Sequence, residues 1–222
     1  YLKKVPSENE LFECGQLVDE IAHGGKPSGI DARTTSRGKP QKFQKSFEPL
    51  QFNFEDIDIE LPNGSVLIVV DTFRGERETT AELIEKFARA HNITKKPNEL
   101  TPLEREALFG KYFKVYEKFI KECHKNGDPK ILGKAFNENH QLLISVSTPE
   151  IEKARKIALK NGAYGAKLTG AGGKGGAVII LAPKEMEKNI IEKLKVNNYS
   201  AFSIEIADEG TKLEFIGENY GI

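Results

Sequence analysis

The sequence predicts an α+β fold in two domains, and three observations carry that reading. Capped segments with helical apolar spacing recur along the 222 residues. A short, continuous, β-branched run, "SVLIVVDT", stands among them. Further on, two strand-like segments bracket a glycine-rich loop in "AKLTGAGGKGGAVIILAP". Pro62, Asn63 and Gly64 form a turn signal between weakly alternating segments and the buried strand that follows. The boundary is expected there, giving domains 1–62 and 63–222.

Each element has its own local reason. "SENELFECGQLVDEIAHGG" reads as a helix: Ser7 and Glu10 form a capping box, and Leu11, Phe12, Leu17, Val18 and Ile21 supply an apolar face. Gly24 and Gly25 are expected to stop it. "KPSGIDARTTSRGKP" reads as a loop with short strands. "LQFNFEDIDIEL" alternates and suggests edge strands between Lys42 and Glu60. "SVLIVVDT" is a buried strand. "ETTAELIEKFARAHN" is a helix with Thr79 or Thr80 near its start. Thr101 and Glu104 form a second capping box, opening a long helix to about Asn126. Asp128 starts a helix that runs through Leu143. "STPEIEKARKIALKNG" is another, with Ser147 or Thr148 as cap, Pro149 in the first turn and Gly162 at the end. Strand, glycine loop and strand follow, then the helix "KEMEKNIIEKLKVN" and closing strands "SAFSIEIA" and "TKLEFI".

Composition narrows the function classes. Lys plus Arg and Asp plus Glu balance at 33 each, which argues against a nucleic-acid binder working through bulk charge. Two cysteines, Cys14 and Cys123, stand far apart in no ligand-like spacing, so a reduced, intracellular protein, expected in the cytoplasm, is the simple reading and a single disulfide the alternative. No run of about 18 apolar residues is present, so no membrane-spanning helix is expected. The chain opens at Tyr1 with a short polar lead into a helix, and the sequence is expected to begin partway through a longer protein.

Two loops carry candidate chemistry. After Thr169, "GAGGKGG" offers backbone N–H groups with few side chains in the way, and such a loop can curl around a phosphate. It lacks the Walker ending, and a strand rather than a helix follows it, which excludes a dinucleotide fingerprint. A glycine-rich hairpin or bulge is the structural alternative. In "HGGKPSGIDA", Gly29 lets the backbone approach a ligand and Pro27 stiffens the entry. Asp31 there is a candidate base or metal ligand, and equally an Asx-turn residue or cap. Glu20 lies one helix end away, either as a second carboxylate of the same cleft or on a solvated helix face.

The two loops in this order, more than a hundred residues apart, resemble the mevalonate kinases of the galactokinase, homoserine kinase, mevalonate kinase and phosphomevalonate kinase superfamily, in their archaeal form. "HGGKPSGIDA" is similar to the family's second signature and "KLTGAGGKGGAVI" to its third. "TFRGERETTAELI", "NENHQLLISVSTPEIEKA" and "EGTKLEF" are similar to further segments of it. The resemblance implies a two-domain small-molecule kinase fold. Here that would be the end of an N-terminal domain like ribosomal protein S5, followed by a ferredoxin-like C-terminal domain. It implies ATP and Mg2+ as cofactors and phosphorylation of the mevalonate hydroxyl in isoprenoid biosynthesis.

The resemblance also implies residue roles. Asp31 matches the catalytic aspartate and Glu20 the Mg2+ ligand. Gly170, Ala171, Gly172 and Gly173 match the loop that closes on the phosphates. Gly29 and Thr80 fall on the substrate side, and Arg74 or Arg77 would supply the counter-charge to a carboxylate. Lys174 departs from the pattern, standing where the family usually has glycine. Arg33, Arg37, Lys39, Lys42 and Lys45 add basic residues that either attract an anionic substrate or form a solvated face. The family's N-terminal strand and its "P-x-x-x-G-L-G-S-S-A" phosphate loop have no match here. A segment carrying them is expected as a partner in the same or another chain, and a homodimer stays open. A phosphomevalonate kinase or other kinase of the superfamily is the alternative reading. A non-catalytic small-molecule-binding domain is the alternative from another class.

Overall fold

The computed structural model describes residues 6–22, 29–47, 50–96 and 99–211. They form two units. The first comprises residues 1–58 and 206–222, and the second residues 59–205.

In the first unit, α1 (Glu8–Ala22) opens on the expected capping box. Glu10 accepts the Ser7 N–H at 2.8 Å, and Ser7 Oγ accepts the Glu10 N–H at 3.3 Å. Its expected stop at Gly24 and Gly25 lies outside the described residues. The segment read as a loop is a second helix, α2 (Ile30–Arg37). "IDARTTSR" has no helical apolar period and two threonines that favour other conformations, so nothing local announced it. Tertiary contacts supply the drive. Ala32 is buried against Gly15 of α1, where an added Cβ would lie 3.2 Å from the Ala32 methyl. Arg33 and Arg37 both bridge to Glu8, at 2.9 and 2.6 Å, and Arg37 reaches Asp56 at 2.7 Å. Gly38, at φ 66°, ends α2 by donating its N–H to the Thr34 carbonyl.

The strands β1 (Gln41–Phe47) and β2 (Leu50–Asp56) pair antiparallel from Gln41↔Asp56 to Phe47↔Leu50. Phe54 packs edge-on to Phe12 of α1, and the Arg33 guanidinium lies over both rings. The Thr211 N–H donates to the Thr35 carbonyl at 3.0 Å, so the described end of the chain returns to α2. The expected last strand, "TKLEFI", falls almost wholly outside the described residues.

The second unit is built on one antiparallel sheet in the order β4-β5-β3-β6. Its strands are β3 (Ser65–Asp71), β4 (Gly165–Thr169), β5 (Ala177–Pro183) and β6 (Ser200–Ile204). Numbered within the unit, they run second, third, first, fourth, the βαββαβ order of a ferredoxin-like fold. Period-2 alternation splits their side chains between two cores. Val66, Ile68, Val70, Leu168, Val178 and Ile180 face α6 (Pro149–Lys160) and α7 (Glu187–Val196), where Ile151, Ala154, Ile190 and Leu194 meet them. Leu67 and Leu181 face the other way, toward Cys123, which follows α4 (Pro102–Glu122), and toward Leu132 and Phe136 of α5 (Pro129–Leu142).

The helix starts follow their local signals. Thr79 caps α3 (Thr80–Ala90) in a capping box with Glu82, Thr101 does the same for α4 with Glu104, Asp128 caps α5, and Thr148 caps α6. The long helix stops at Glu122, short of Asn126, with Cys123 as its C-cap. Among the described residues no helix is long and apolar enough to cross a membrane.

Candidate functional site

The glycine loop joins β4 to β5, and its shape is set by four left-handed glycines. Gly170, Gly172, Gly173 and Gly175 have φ of 68°, 80°, 68° and 74°, a region that L side chains enter only at a cost. At two of them a side chain would be crowded as well. A Cβ on Gly172 would lie 2.6 Å from the Val146 carbonyl oxygen, and one on Gly173 would lie 2.5 Å from Leu83. Gly170 has open space instead.

The segment between β3 and α3 braces the loop. Thr72, buried at the end of β3, donates both its N–H and its hydroxyl to the Gly176 carbonyl, at 3.2 and 2.6 Å. Glu78 donates its N–H to the Lys174 carbonyl at 3.1 Å and accepts the Lys174 N–H at 2.7 Å. Arg77 Nη2 donates to the Gly175 carbonyl at 3.3 Å. From the opposite side the Val146 carbonyl accepts the Gly173 N–H at 2.7 Å. Lys174 Nζ meets Glu76 at 2.5 Å. That pairing holds the exposed Glu76 carboxyl below its ordinary range and the Lys174 ammonium above its own.

After this bracing, the N–H groups of Gly170, Ala171, Gly172 and Gly175 donate to no protein acceptor among the described residues. Converging N–H groups in a glycine turn form an anion-binding concavity. The cavity beside them is about 310 Å³, bordered by Arg77, Thr80, Leu83, Gly170, Gly172 and Lys174, among others. The loop therefore fits the phosphates of ATP in its donors and in the space its glycines keep clear.

Of the expected site residues, Gly170, Ala171, Gly172, Arg77 and Thr80 come together at this cavity. Gly173 does not line it, and its N–H is already committed to Val146. Arg74 is held elsewhere, with its guanidinium 4.5 Å above the Tyr199 ring and Nη1 donating to the Phe73 carbonyl. Thr80 is the first residue of α3, while Thr79 does the capping. Gly175 and Glu78 escaped the sequence reading. Gly175 was legible in the glycine count, but nothing local marks Glu78, whose partner is 96 residues away.

The remaining candidates belong to the first unit. Gly29 is buried at φ 85° and begins α2. Asp31 sits exposed in the first turn of α2, where the helix dipole favours a carboxylate. Glu20 is exposed near the end of α1. His23–Ser28, including Pro27, lie outside the described residues. Among the described residues no three His, Cys, Asp or Glu side chains cluster as a metal cage. Mg2+ bound to polyphosphate takes only about one or two protein carboxylates, so a single exposed carboxylate such as Glu20 fits that donor set.

The comparisons with known proteins agree with the fold. Residues 119–200 match the family "GHMP kinases C terminal". The mevalonate kinase of Methanocaldococcus jannaschii is 31% identical over 206 residues, covering 91% of this chain and 58% of that protein. The mevalonate kinase of Pyrococcus abyssi is 30% identical over 223 residues, covering 96% and 59%. Among solved structures, the Methanococcus jannaschii mevalonate kinase superposes with a TM-score of 0.66 at 27% identity, over 90% of this chain and 57% of that one. The L. major mevalonate kinase in complex with R-mevalonate gives a TM-score of 0.70 at 23% identity, over 90% and 59%, a likeness of fold. The chain thus spans somewhat more than half the length of the relatives it matches.

Proposed function

We propose, from a chain whose residues 119–200 match the family "GHMP kinases C terminal", that it is part of an ATP-dependent mevalonate kinase. The carrying observation is the set of four unpaired loop N–H groups over a cavity that Arg77 and Thr80 also border. That arrangement binds an anionic phosphate on one side and leaves a guanidinium for a carboxylate on the other. The similarity to mevalonate kinases extends over nine-tenths of the chain.

In this reading residues 1–62 are the end of a catalytic domain, with the boundary at the turn 62–64. Asp31 takes the proton of the substrate hydroxyl as that oxygen bonds to the γ-phosphorus and the bond from this phosphorus to the β–γ bridging oxygen breaks, releasing ADP. Glu20 would hold Mg2+, which when bound neutralises charge on the phosphates. The loop amides of Gly170, Ala171, Gly172 and Gly175 stabilise charge on the transferring group, and catalysis is mainly positioning and electrostatics. Arg77 holds the carboxylate of mevalonate, with Thr80 beside it. A further phosphate loop comes from a segment other than these 222 residues, in the same or another chain. The setting is cytoplasmic.

The test is ADP release from Mg·ATP with mevalonate, phosphomevalonate, homoserine and galactose, run beside Asp31→Asn. Release with mevalonate alone, lowered by orders of magnitude in Asp31→Asn at unchanged ATP affinity, is the expected result. Release with phosphomevalonate alone moves the substrate along the series. Near-normal turnover in Asp31→Asn removes that residue from the chemistry.

A further inference from the structure

β4 is an edge strand, because β5 pairs with one side of it only. In an antiparallel pair alternate residues turn their backbone groups to the partner. Ala166 and Leu168 turn theirs off the sheet, and an unpaired edge of this kind is a liability. Here side chains take the place of a neighbouring strand. Asn137 Oδ1 accepts the Ala166 N–H at 3.1 Å, and Arg155 Nε donates to the Ala166 carbonyl at 2.7 Å. His140 Nδ1 accepts the Leu168 N–H at 3.2 Å, and Asn137 Nδ2 reaches the Tyr164 carbonyl at 3.4 Å.

The helix is built to reach that edge. Gly133, Asn137 and His140 share one face of α5 by their i, i+4, i+7 spacing. A Cβ on Gly133 would lie 2.4 Å from the Tyr164 backbone, and one on Gly165 would lie 2.1 Å from the Gly133 carbonyl. Two facing glycines let α5 lie against β4 closely enough for its polar side chains to bond the strand. His140 is fully buried. With Nδ1 accepting, its proton sits on Nε2, which donates to Glu152 Oε1 at 2.6 Å. Glu152 also accepts from Ser147 at 2.5 Å and from Arg155 at 3.0 Å.

This network closes on both ends of the glycine loop. Leu168 stands two residues before Gly170, while Ser147 follows Val146, whose carbonyl holds Gly173. Apolar side chains of similar volume would fill this space but would leave the buried backbone groups of Ala166 and Leu168 unsatisfied. What they would lack is a fixed donor or acceptor for each backbone group, and that is what specifies strand register. We infer that Asn137, His140 and Arg155 form a polar rail of positioning residues that holds edge strand β4, and through it aims the loop amides at the phosphates. The aim of the amides rests on the phosphate-binding reading of the loop. The hold on the strand does not.

The experiment separates the two nitrogens of His140. In His140→Asn the side-chain oxygen replaces the Nδ1 acceptor, and in His140→Gln the side-chain nitrogen replaces the Nε2 donor. Amide hydrogen exchange and Mg·ATP titration are measured on both variants and on the unmodified protein. His140→Asn is expected to keep wild-type exchange at Leu168 and wild-type ATP affinity. His140→Gln is expected to exchange about tenfold faster at Leu168 and at the hydrogen-bonded loop amides of Gly173 and Lys174, the effect of one lost hydrogen bond, and to bind ATP several-fold more weakly. The amides of Ile68 and Ile180 in the central strands should not change. Equal behaviour of the two variants, or unchanged loop exchange in His140→Gln, overturns the rail. If the unmodified protein binds no Mg·ATP, the phosphate reading fails, and the exchange comparison still decides whether the rail holds the loop. Should neither His140 variant fold, Asn137→Ala decides in the same way: faster exchange at Ala166 and in the loop supports the rail, and unchanged exchange there overturns it.

Discussion

At the scale of single residues, Gly172 concentrates three demands. Its φ of 80° disfavours any side chain, its Cβ position is 2.6 Å from the Val146 carbonyl oxygen, and its own N–H is one of the unpaired donors. Gly172→Val must therefore shift the loop. ATP affinity is expected to fall at least tenfold, about the worth of one hydrogen bond to a charged group, as read by calorimetric titration. Wild-type affinity in that variant would separate the loop from the nucleotide. The composition of "GAGGKGG" pointed to this site, but it could not say which amides remain available. Gly173 spends its N–H on Val146, and Gly175, further along, keeps its own free. Lys174 is turned to Glu76, a partner 98 residues away, so its direction was not legible locally.

At the scale of elements, caps and polar clusters set the stability. The Thr148 hydroxyl accepts the Ile151 N–H at a buried helix start. Thr148→Ala should cost about 1 kcal/mol and lower Tm by about 3 °C for a unit of this size, measured by calorimetry. The His140 and Glu152 pair gives a pH dependence. Burial, and then the Arg155 charge, push the His140 pKa below its ordinary 6.5. Burial raises that of Glu152, but Ser147, His140 and Arg155 bring it net below its ordinary 4.5. Both groups are depressed in the folded state, so the unfolded chain binds more protons at these sites. Their stabilising effect is complete above about pH 6.5, declines as His140 is forced to protonate, and declines again below 4.5. Tm should fall between pH 7.5 and 5, and His140→Asn should flatten the upper part of that fall. Helix α2 teaches the opposite lesson about local signals: Asp31, Thr34, Thr35 and Ser36 are weak helix formers, the segment has no apolar period, and the helix is held where Ala32 meets Gly15 and two arginines meet Glu8.

At the scale of the whole molecule, the second unit holds a complete sheet and both of its cores. Residues 59–205 expressed alone should therefore unfold cooperatively, with the ordered amide spectrum of a packed domain. A broad, non-cooperative melt would show that this unit needs the first. Cys123 offers a check on its integrity. The thiol is buried and its pKa is pushed up to about 11, so it should resist a thiol reagent at pH 8 until the unit opens. Exposed Cys14 of the first unit should react at once in the full chain.

By itself the sequence determined the helix starts, the buried strands and the glycine loop. Each of these rests on residues within a few positions of one another: Thr79 with Glu82, the run of β-branched residues from Val66, the glycines from Gly170. The resemblance of its two signature loops added the expectation of a small-molecule kinase and, with it, Asp31 and Glu20 as candidates. The tertiary structure alone decided what depends on distant partners. It turned the Asp31 segment into a helix, sent Arg74 to Tyr199 and Arg77 to the glycine loop, and braced that loop on Thr72, Glu78 and Val146. It also gave edge strand β4 its polar rail. The physical reason is the same in each case. Hydrogen-bond satisfaction and close packing are settled across the fold, between groups whose sequence separation carries no local pattern.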